Sequence, residues 1–194
     1  MAGSTRKQGP KRSQESRTAI LSATRDELAE NGWRKFSVDS VAKRAKASKQ
    51  TIYRWWPSVG AMCVDAGLEL LPAAGRLGRD PAERLTDIFL PLETAARTGT
   101  GHGVLRACFI AAADDGEAGD HWRAWLQENL RTPLRNVLAE LTAKRVIRRD
   151  WDIDIAMQLM LGAFWHRMVI MRAPITEGHM AKQAELLLQL HQEA

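Results

Sequence analysis

Apolar residues recur every three or four positions along most of the chain, and no stretch alternates with the period of two that marks a strand. Ile20, Leu21, Thr24 and Leu28 share one face of a helix over about 14–30, which Asn31-Gly32 closes with a left-handed stop. Ser37 opens a short segment with Val38, Val41, Ala42 and Ala45 on one side. Ser48 opens another, with Ile52 and Trp56 four apart; Pro57 ends it, and Ser58 caps a further helix to about Leu71. After the Gly/Pro-rich stretch 71–80, Pro81 stands in the first turn of a helix reaching Arg97. TGTGHG, 98–103, reads as a flexible connection into a helix over 104–113. The acidic run 114–120 breaks that helix, and a long one follows from about Glu117 to Arg145, kinked or broken by Pro133. Helices over 152–171 and 176–192 complete an all-α chain of about nine helices.

Composition sharpens this picture. With 45% hydrophobic residues the chain has material for a core, which excludes wholesale disorder. Its formal charge of +5 hides an asymmetry. Residues 1–60 hold 13 Lys/Arg against 5 Asp/Glu, a net of +8, while residues 61–194 hold 15 against 18, a net of −3. A basic first third joined to a near-neutral remainder points to a polyanion held at one end. Cys63 and Cys108 are too few for a disulfide framework and too far apart for a zinc spacing, so a reducing, cytoplasmic setting is expected. No apolar run reaches the roughly 18 residues of a membrane span, so no membrane partner is expected. The N-terminus lacks both the apolar core of a secretory signal and the periodic face of a transit peptide. Residues 1–13 are expected to be a disordered basic tail.

The informative stretch is FSVDSVAKRAKASKQTIYRWW, 36–56. Two short amphipathic helices, joined by about three residues and with the second opening on Ser48, make a helix-turn-helix. The start of the second helix offers free N–H groups and a positive dipole end to phosphate, among Lys49, Gln50, Thr51, Tyr53 and Arg54. Lys43, Arg44 and Lys46 lie on the preceding helix and turn. The stretch resembles the N-terminal DNA-binding domain of the TetR/AcrR family of bacterial repressors. Gly32, Ser37-Val38, Val41-Ala42 and Ser48-Lys49-Gln50-Thr51-Ile52-Tyr53 match that family's ordered pattern over roughly residues 14–71. DIAMQLMLGAFWHRMV near the C-terminus is similar, less specifically, to the late helices of such regulators. Two positions depart. Lys46 stands where the turn usually carries Gly, and Val59-Gly60 where a Lys usually follows the Pro-Ser. The first implies a non-glycine residue at positive φ, the second one backbone contact fewer.

The resemblance implies that Ser37, Thr51 and Tyr53 bind phosphates and that Lys49 meets phosphate or a base edge. Lys46 and Ser48 belong to the same face. Gln50 and Arg54 are the candidates for base reading, since Gln pairs bidentately with adenine and Arg with guanine. Trp55 is placed at the DNA surface, and Ile52 and Trp56 in the core. The domains expected are the tail, the helix-turn-helix domain over 14–71, and an effector-binding and dimerisation domain over 72–194.

In that last domain, the helix over 152–171 carries Ile155, Leu159, Gly162, His166 and Val169 on one side. Met157, Leu161, Phe164, Met168 and Met171 lie on the other. A helix apolar almost all round needs cover on both sides, and a second copy of the chain supplies it. The interface candidates are Leu161, Phe164, Met168, Leu186, Leu187 and Leu190, and a two-fold dimer reads a palindromic operator in double-stranded DNA. Phe89, Phe109, Trp122, Trp125, Met160 and Trp165 are candidate liners of a pocket for a small lipophilic effector. Asp114, Asp115, Glu117 and Asp120 read as a solvated acidic loop. The five histidines stand in no ligand spacing, so no metal or cofactor is expected. No nucleophile–base pairing announces an enzyme. Two alternatives stay open: a ligand-independent DNA-binding regulator with a filled core, and a helical enzyme acting on a phosphorylated substrate.

Overall fold

The computed structural model describes residues 10–72, 75–114 and 116–191. Of the expected tail, residues 1–9 lie outside the described residues, as do Ala73, Ala74, Asp115 and Gln192. The described residues form helices joined by turns and short loops, with no strand among them. The order is α1 (Pro10–Asn31), α2 (Val38–Arg44), α3 (Lys49–Trp55), α4 (Val59–Leu68) and α5 (Pro81–Arg97). Then follow α6 (Gly99–Asp114), α7 (Gly116–Leu126), α8 (Thr132–Ala143), α9 (Ile153–Trp165) and α10 (His179–His191).

The first three helices form a small unit. Each short helix starts on a serine whose hydroxyl accepts a backbone N–H three residues on: Ser37 from Ser40, Ser48 from Thr51, and Ser58 from Ala61 at the start of α4. Ile20, Leu21, Val41, Ile52 and Trp56 pack together beneath them. The turn from α2 to α3 is a Schellman motif, with Ala47 N–H donating to Ala42 C=O and Lys46 N–H to Lys43 C=O. Its left-handed position is Lys46, at φ 49°. A lysine thus holds a conformation that favours glycine.

α4 is the element both halves share. Ala61, Met62 and Ala66 pack into the N-terminal core, Val64 into the C-terminal one, and Cys63 against Leu28, Val104 and Cys108 between them. Gly67 brings α4 so close to α6 that a Cβ there would lie 2.5 Å from the Cys108 Sγ. The Cys108 thiol donates to the Cys63 carbonyl at 2.8 Å. Burial pushes both thiols up, Cys108 to about 12.

Two connections differ from expectation. TGTGHG is not a flexible link. It is the start of α6, where the Thr98 hydroxyl accepts Gly101 N–H at 2.9 Å and Gly101 packs against the Ala95 carbonyl too tightly for any side chain. Glycine here serves a close helix–helix corner, and its lack of a side chain hid the helix from a pattern of apolar positions. The rod from α7 to α8 is continuous but passes through a π-helical turn, Gln127–Arg131, which leaves Pro133 in the first turn of α8 where its missing N–H costs nothing. With α7 and α8 counted as one rod, the described residues hold nine α-helices. A second π turn, His166–Ile170, extends α9.

The C-terminal core gathers Leu85, Phe89, Leu92 and Leu105 with Leu134, Leu138, Met157 and Phe164. Glu93, 4% exposed on α5, caps α10 by accepting Gly178 and Met180 N–H groups. Arg84 on α5 pairs with Glu140 on α8, and Lys144 also donates to that carboxylate.

Those two cations hold the Glu140 carboxyl down to about 2, Arg84 contributing most. A carboxyl whose folded pKa lies below its unfolded value stabilises the fold above the unfolded value. That contribution is lost as pH falls through the folded one. Glu140→Gln should therefore flatten the acid limb of the melting temperature between about pH 4.5 and pH 2, and leave melting above pH 6 insensitive to pH to the same degree as the parent. Lys46→Gly should raise the free energy of unfolding by about 0.5–1 kcal/mol in urea titration, because left-handed backbone costs a lysine more than a glycine.

Candidate DNA-binding face and interior cleft

The start of α3 projects from the N-terminal unit. Ser48, Lys49, Gln50, Tyr53 and Arg54 are exposed, Thr51 and Trp55 half-buried, and Ile52 and Trp56 buried beneath. The Ser48 hydroxyl stands 2.9 Å from the Thr51 hydroxyl and accepts the Thr51 N–H, so both side chains are fixed at the helix end. Ser37, at the head of α2, is half-buried, and Lys46 at the turn is exposed. Lys49 bridges back to Asp39 on α2 at 2.6 Å, and that hydrogen bond raises its pKa. Arg44 turns away from this face onto Glu30 and Glu27 of α1, so it braces α1 to α2. Lys43, Lys46 and Arg54 have no ion-pair partner among the described residues. Trp55 leans on Trp56, with its indole N–H buried and unpartnered.

In the C-terminal half, an open cleft of about 450 Å³ lies between α6, α7 and the end of α9. Three of the six expected liners reach it: Phe109, Trp122 and Trp165. Phe109 meets both tryptophans edge to face, at 4.6 and 4.1 Å between ring centroids. Trp125 stacks behind Trp122 at 5.3 Å and braces it from outside the cleft. Phe89 is 1% exposed and fills the core instead. Met160 lines a different groove, between α9 and α10. The sequence reading missed Arg123, His166 and Val169 as cleft residues. The signal was available on α7, where Gly119, Trp122, Arg123 and Leu126 fall at helical spacing on one side.

The expected interface set divides in the same way. Leu161, Phe164, Met168 and Leu187 are buried within the chain's own core, because α9 and α10 turn those positions onto α5 and α8. The opposite stripe is the exposed one. Leu159 on α9, with Leu186 and Leu190 on α10, are each more than half exposed and line a groove of about 220 Å³, and Ile155, one turn before Leu159, is about half exposed. Gly162 lies on the same outer face, with open space where a Cβ would be.

Between DNA face and cleft lies one carboxylate. Asp65 on α4 accepts from the Trp56 indole N–H at 2.8 Å and from Arg17 of α1 at 2.9 Å. Its other oxygen lies 3.3 Å from His121 on α7. Arg17 also lies over the Trp56 ring and, with Arg25, donates to Glu69 one turn along α4. The residue after the recognition helix, the first helix and the cleft wall thus meet at one side chain. Among the described residues, no helix is long and apolar enough to cross a membrane.

Comparison with known proteins agrees with this geometry. Residues 20–62 match the model of the bacterial regulatory proteins of the tetR family, and residues 78–187 match the tetracyclin repressor-like C-terminal domain. The second alone spans more than half the chain. The chain is similar to the helix-turn-helix-type transcriptional regulator YdeS of Bacillus subtilis, 28% identical over 179 residues that cover 89% of this chain and 88% of YdeS. It is 25% identical over 166 residues to the regulator Rv1556 of Mycobacterium tuberculosis, covering 82% and 79%. Among solved structures, the TetR family transcription regulator SCO0332 aligns with a TM-score of 0.55 and 26% identity over 90% of this chain and 97% of its own. The fatty acid degradation regulator FadR of Bacillus halodurans shares the fold, with a TM-score of 0.63 at 19% identity over 95% and 96%. The chain belongs to the TetR family and is a helix-turn-helix, DNA-binding transcriptional regulator rather than an enzyme.

Proposed function

We propose that this regulator is a homodimeric repressor that leaves a palindromic operator when a small lipophilic molecule enters the α6–α7–α9 cleft. The observation that carries the DNA contact is the set of exposed polar side chains on the first turns of α3. Gln50 and Arg54 have hydrogen-bonding groups that the core does not use. In this reading they face base edges, while Ser37, Thr51 and Tyr53 hold phosphates, joined by Lys46, Ser48 and Lys49 once it leaves Asp39. Trp55 supports that surface from behind.

The second copy covers the exposed α9–α10 face. Three exposed leucines around one groove, with Ile155 one turn away, form a patch that water disfavours, and the open face at Gly162 lets two helices approach closely. The closed symmetric arrangement places two recognition helices on one duplex, with half-sites about one helical turn apart.

The cleft communicates through α7. Trp122 forms its wall, and the preceding residue, His121, touches Asp65. A ligand that displaces α7 acts on the carboxylate that holds Trp56 and Arg17, and so on the seat of α3. Release is a population shift, limited by how much better the ligand binds the DNA-incompetent state.

Selection of bound fragments from a random duplex library should return an inverted repeat. Lys49→Ala with Tyr53→Ala should weaken binding to it by about 10- to 100-fold at fixed salt, with helicity unchanged. Unchanged affinity would remove α3 from the DNA contact. In sedimentation at micromolar concentration, the parent should run as a dimer of about 43 kDa, twice the 21.7 kDa chain. Leu159→Glu with Leu190→Glu should run as a monomer, since two charges per chain would be buried unpaired. A dimer that survives both changes would place the interface elsewhere.

A further inference from the structure

The chemistry of the cleft restricts what it holds. Its apolar walls are rings at steep angles to one another: Phe109 stands 77° to Trp122 and 63° to Trp165. A flat ring entering there stacks on one wall while meeting the edge of another. The charged groups point one way. Among the described residues lining the cleft, Arg123 and His166 are the only titratable ones, and neither is an acid. Arg123 is folded back along α7. A Cβ at Gly119 would meet the Ala112 carbonyl at 2.6 Å and the Arg123 guanidinium at 2.7 Å, so the bare glycine lets α7 approach α6 with that guanidinium lying beside the contact on the cleft wall. The partner of Arg123 is Asp120, one turn back on the same helix, with side chains 64% and 80% exposed. Such an exposed pair holds the guanidinium weakly and leaves it available to an anion at the cleft mouth.

A second cation stands nearby. Arg106 lies one turn before Phe109 on the same side of α6. It is half-buried, its Nε has no hydrogen-bond partner, and it forms no ion pair among the described residues. The α6 side chain one turn earlier, His102, reaches the Ala173 carbonyl just past the π turn that carries His166 and Val169. This stripe of α6 therefore runs along the same wall as the cleft. A half-buried arginine with no ion pair among the described residues adds positive charge to this stripe of α6, outside the cleft lining itself, and favours an anion there.

We propose that the cleft takes an aromatic carboxylate. Its ring system lies against Phe109, Trp122 and Trp165, its carboxylate meets Arg123 and His166 at the mouth, and the unpaired Arg106 adds to the attraction. This rests on the reading of the cleft as the effector site and adds the chemical class of its occupant. A volume of about 450 Å³ suits one compact fused-ring molecule with a short acidic arm.

Three compounds of matched shape test it by isothermal titration calorimetry on the full chain: 2-naphthylacetate, its neutral amide, and (2-naphthylmethyl)trimethylammonium. The acid should bind at least tenfold tighter than either of the others. Arg123→Gln should bring acid and amide within about threefold of each other while leaving the amide unchanged. Arg106→Gln should narrow the same gap less, and it provides the independent variant if Arg123→Gln melts early. Trp122→Ala should weaken acid and amide alike. Equal binding of acid and amide, or tighter binding of the cation through the aromatic walls, overturns the anionic class and leaves a ligand cleft standing. Loss of acid and amide binding to the same extent in Arg123→Gln also overturns it. Failure of all three compounds to bind overturns the effector reading and this proposal together.

Discussion

The fold depends on one helix being buried from both sides. Of the ten residues of α4, seven are buried, shared between the core under the recognition helix and the core of the C-terminal half. Gly67 fixes its distance from α6, and no side chain at that position would fit beside Cys108. Apolar packing of this kind is dense and bistable rather than elastic. A shift of α6 or α7 is therefore passed to α4 as a displacement, not absorbed as a dent. The position of α3 relative to the rest of the molecule is set by the placement of this short rod.

The polar contacts along α4 have a different task. Arg17, Arg25 and Glu69 form partly exposed ion pairs, each worth about 0–1 kcal/mol, too little to hold two halves together. Asp65 is better placed. It is about one-fifth exposed and contacts three side chains from three elements, one of them the tryptophan that ends the recognition segment. The strength comes from packing, and in the proposed release mechanism this carboxylate sets the direction in which movement is passed on. A cleft filled at α7 and a DNA face built on α3 lie on either side of it.

Much of this was legible because it rests on local chemistry. The serine caps of α2, α3 and α4, the proline opening α5, and the strained left-handed Lys46 are read from neighbours a few residues apart. The recognition face follows from those caps, since they fix which side chains of a seven-residue helix stand outward. What was not legible depends on partners distant in sequence. α9 has two apolar stripes of similar character, and only the placement of α5 and α8 decides that Phe164 and Met168 turn inward while Ile155 and Leu159 remain outside. Phe89 and Phe109 are equally plausible cleft residues until the helices are assembled. The glycine-led start of α6 and the π turn before Pro133 leave no mark in an apolar pattern, because each is a backbone adjustment to a close neighbour.

The two cysteines have a practical consequence. Cys63 and Cys108 are sealed between α4 and α6, and burial keeps both as thiols at neutral pH, so neither competes for a thiolate-selective reagent in the folded protein. A single cysteine introduced at an exposed position outside the proposed DNA contacts, such as Ser22 on α1, becomes the one labelling site of the chain, with every native residue elsewhere retained. In the proposed dimer, spin or fluorescent labels there would read the separation of the two N-terminal units, free and on DNA.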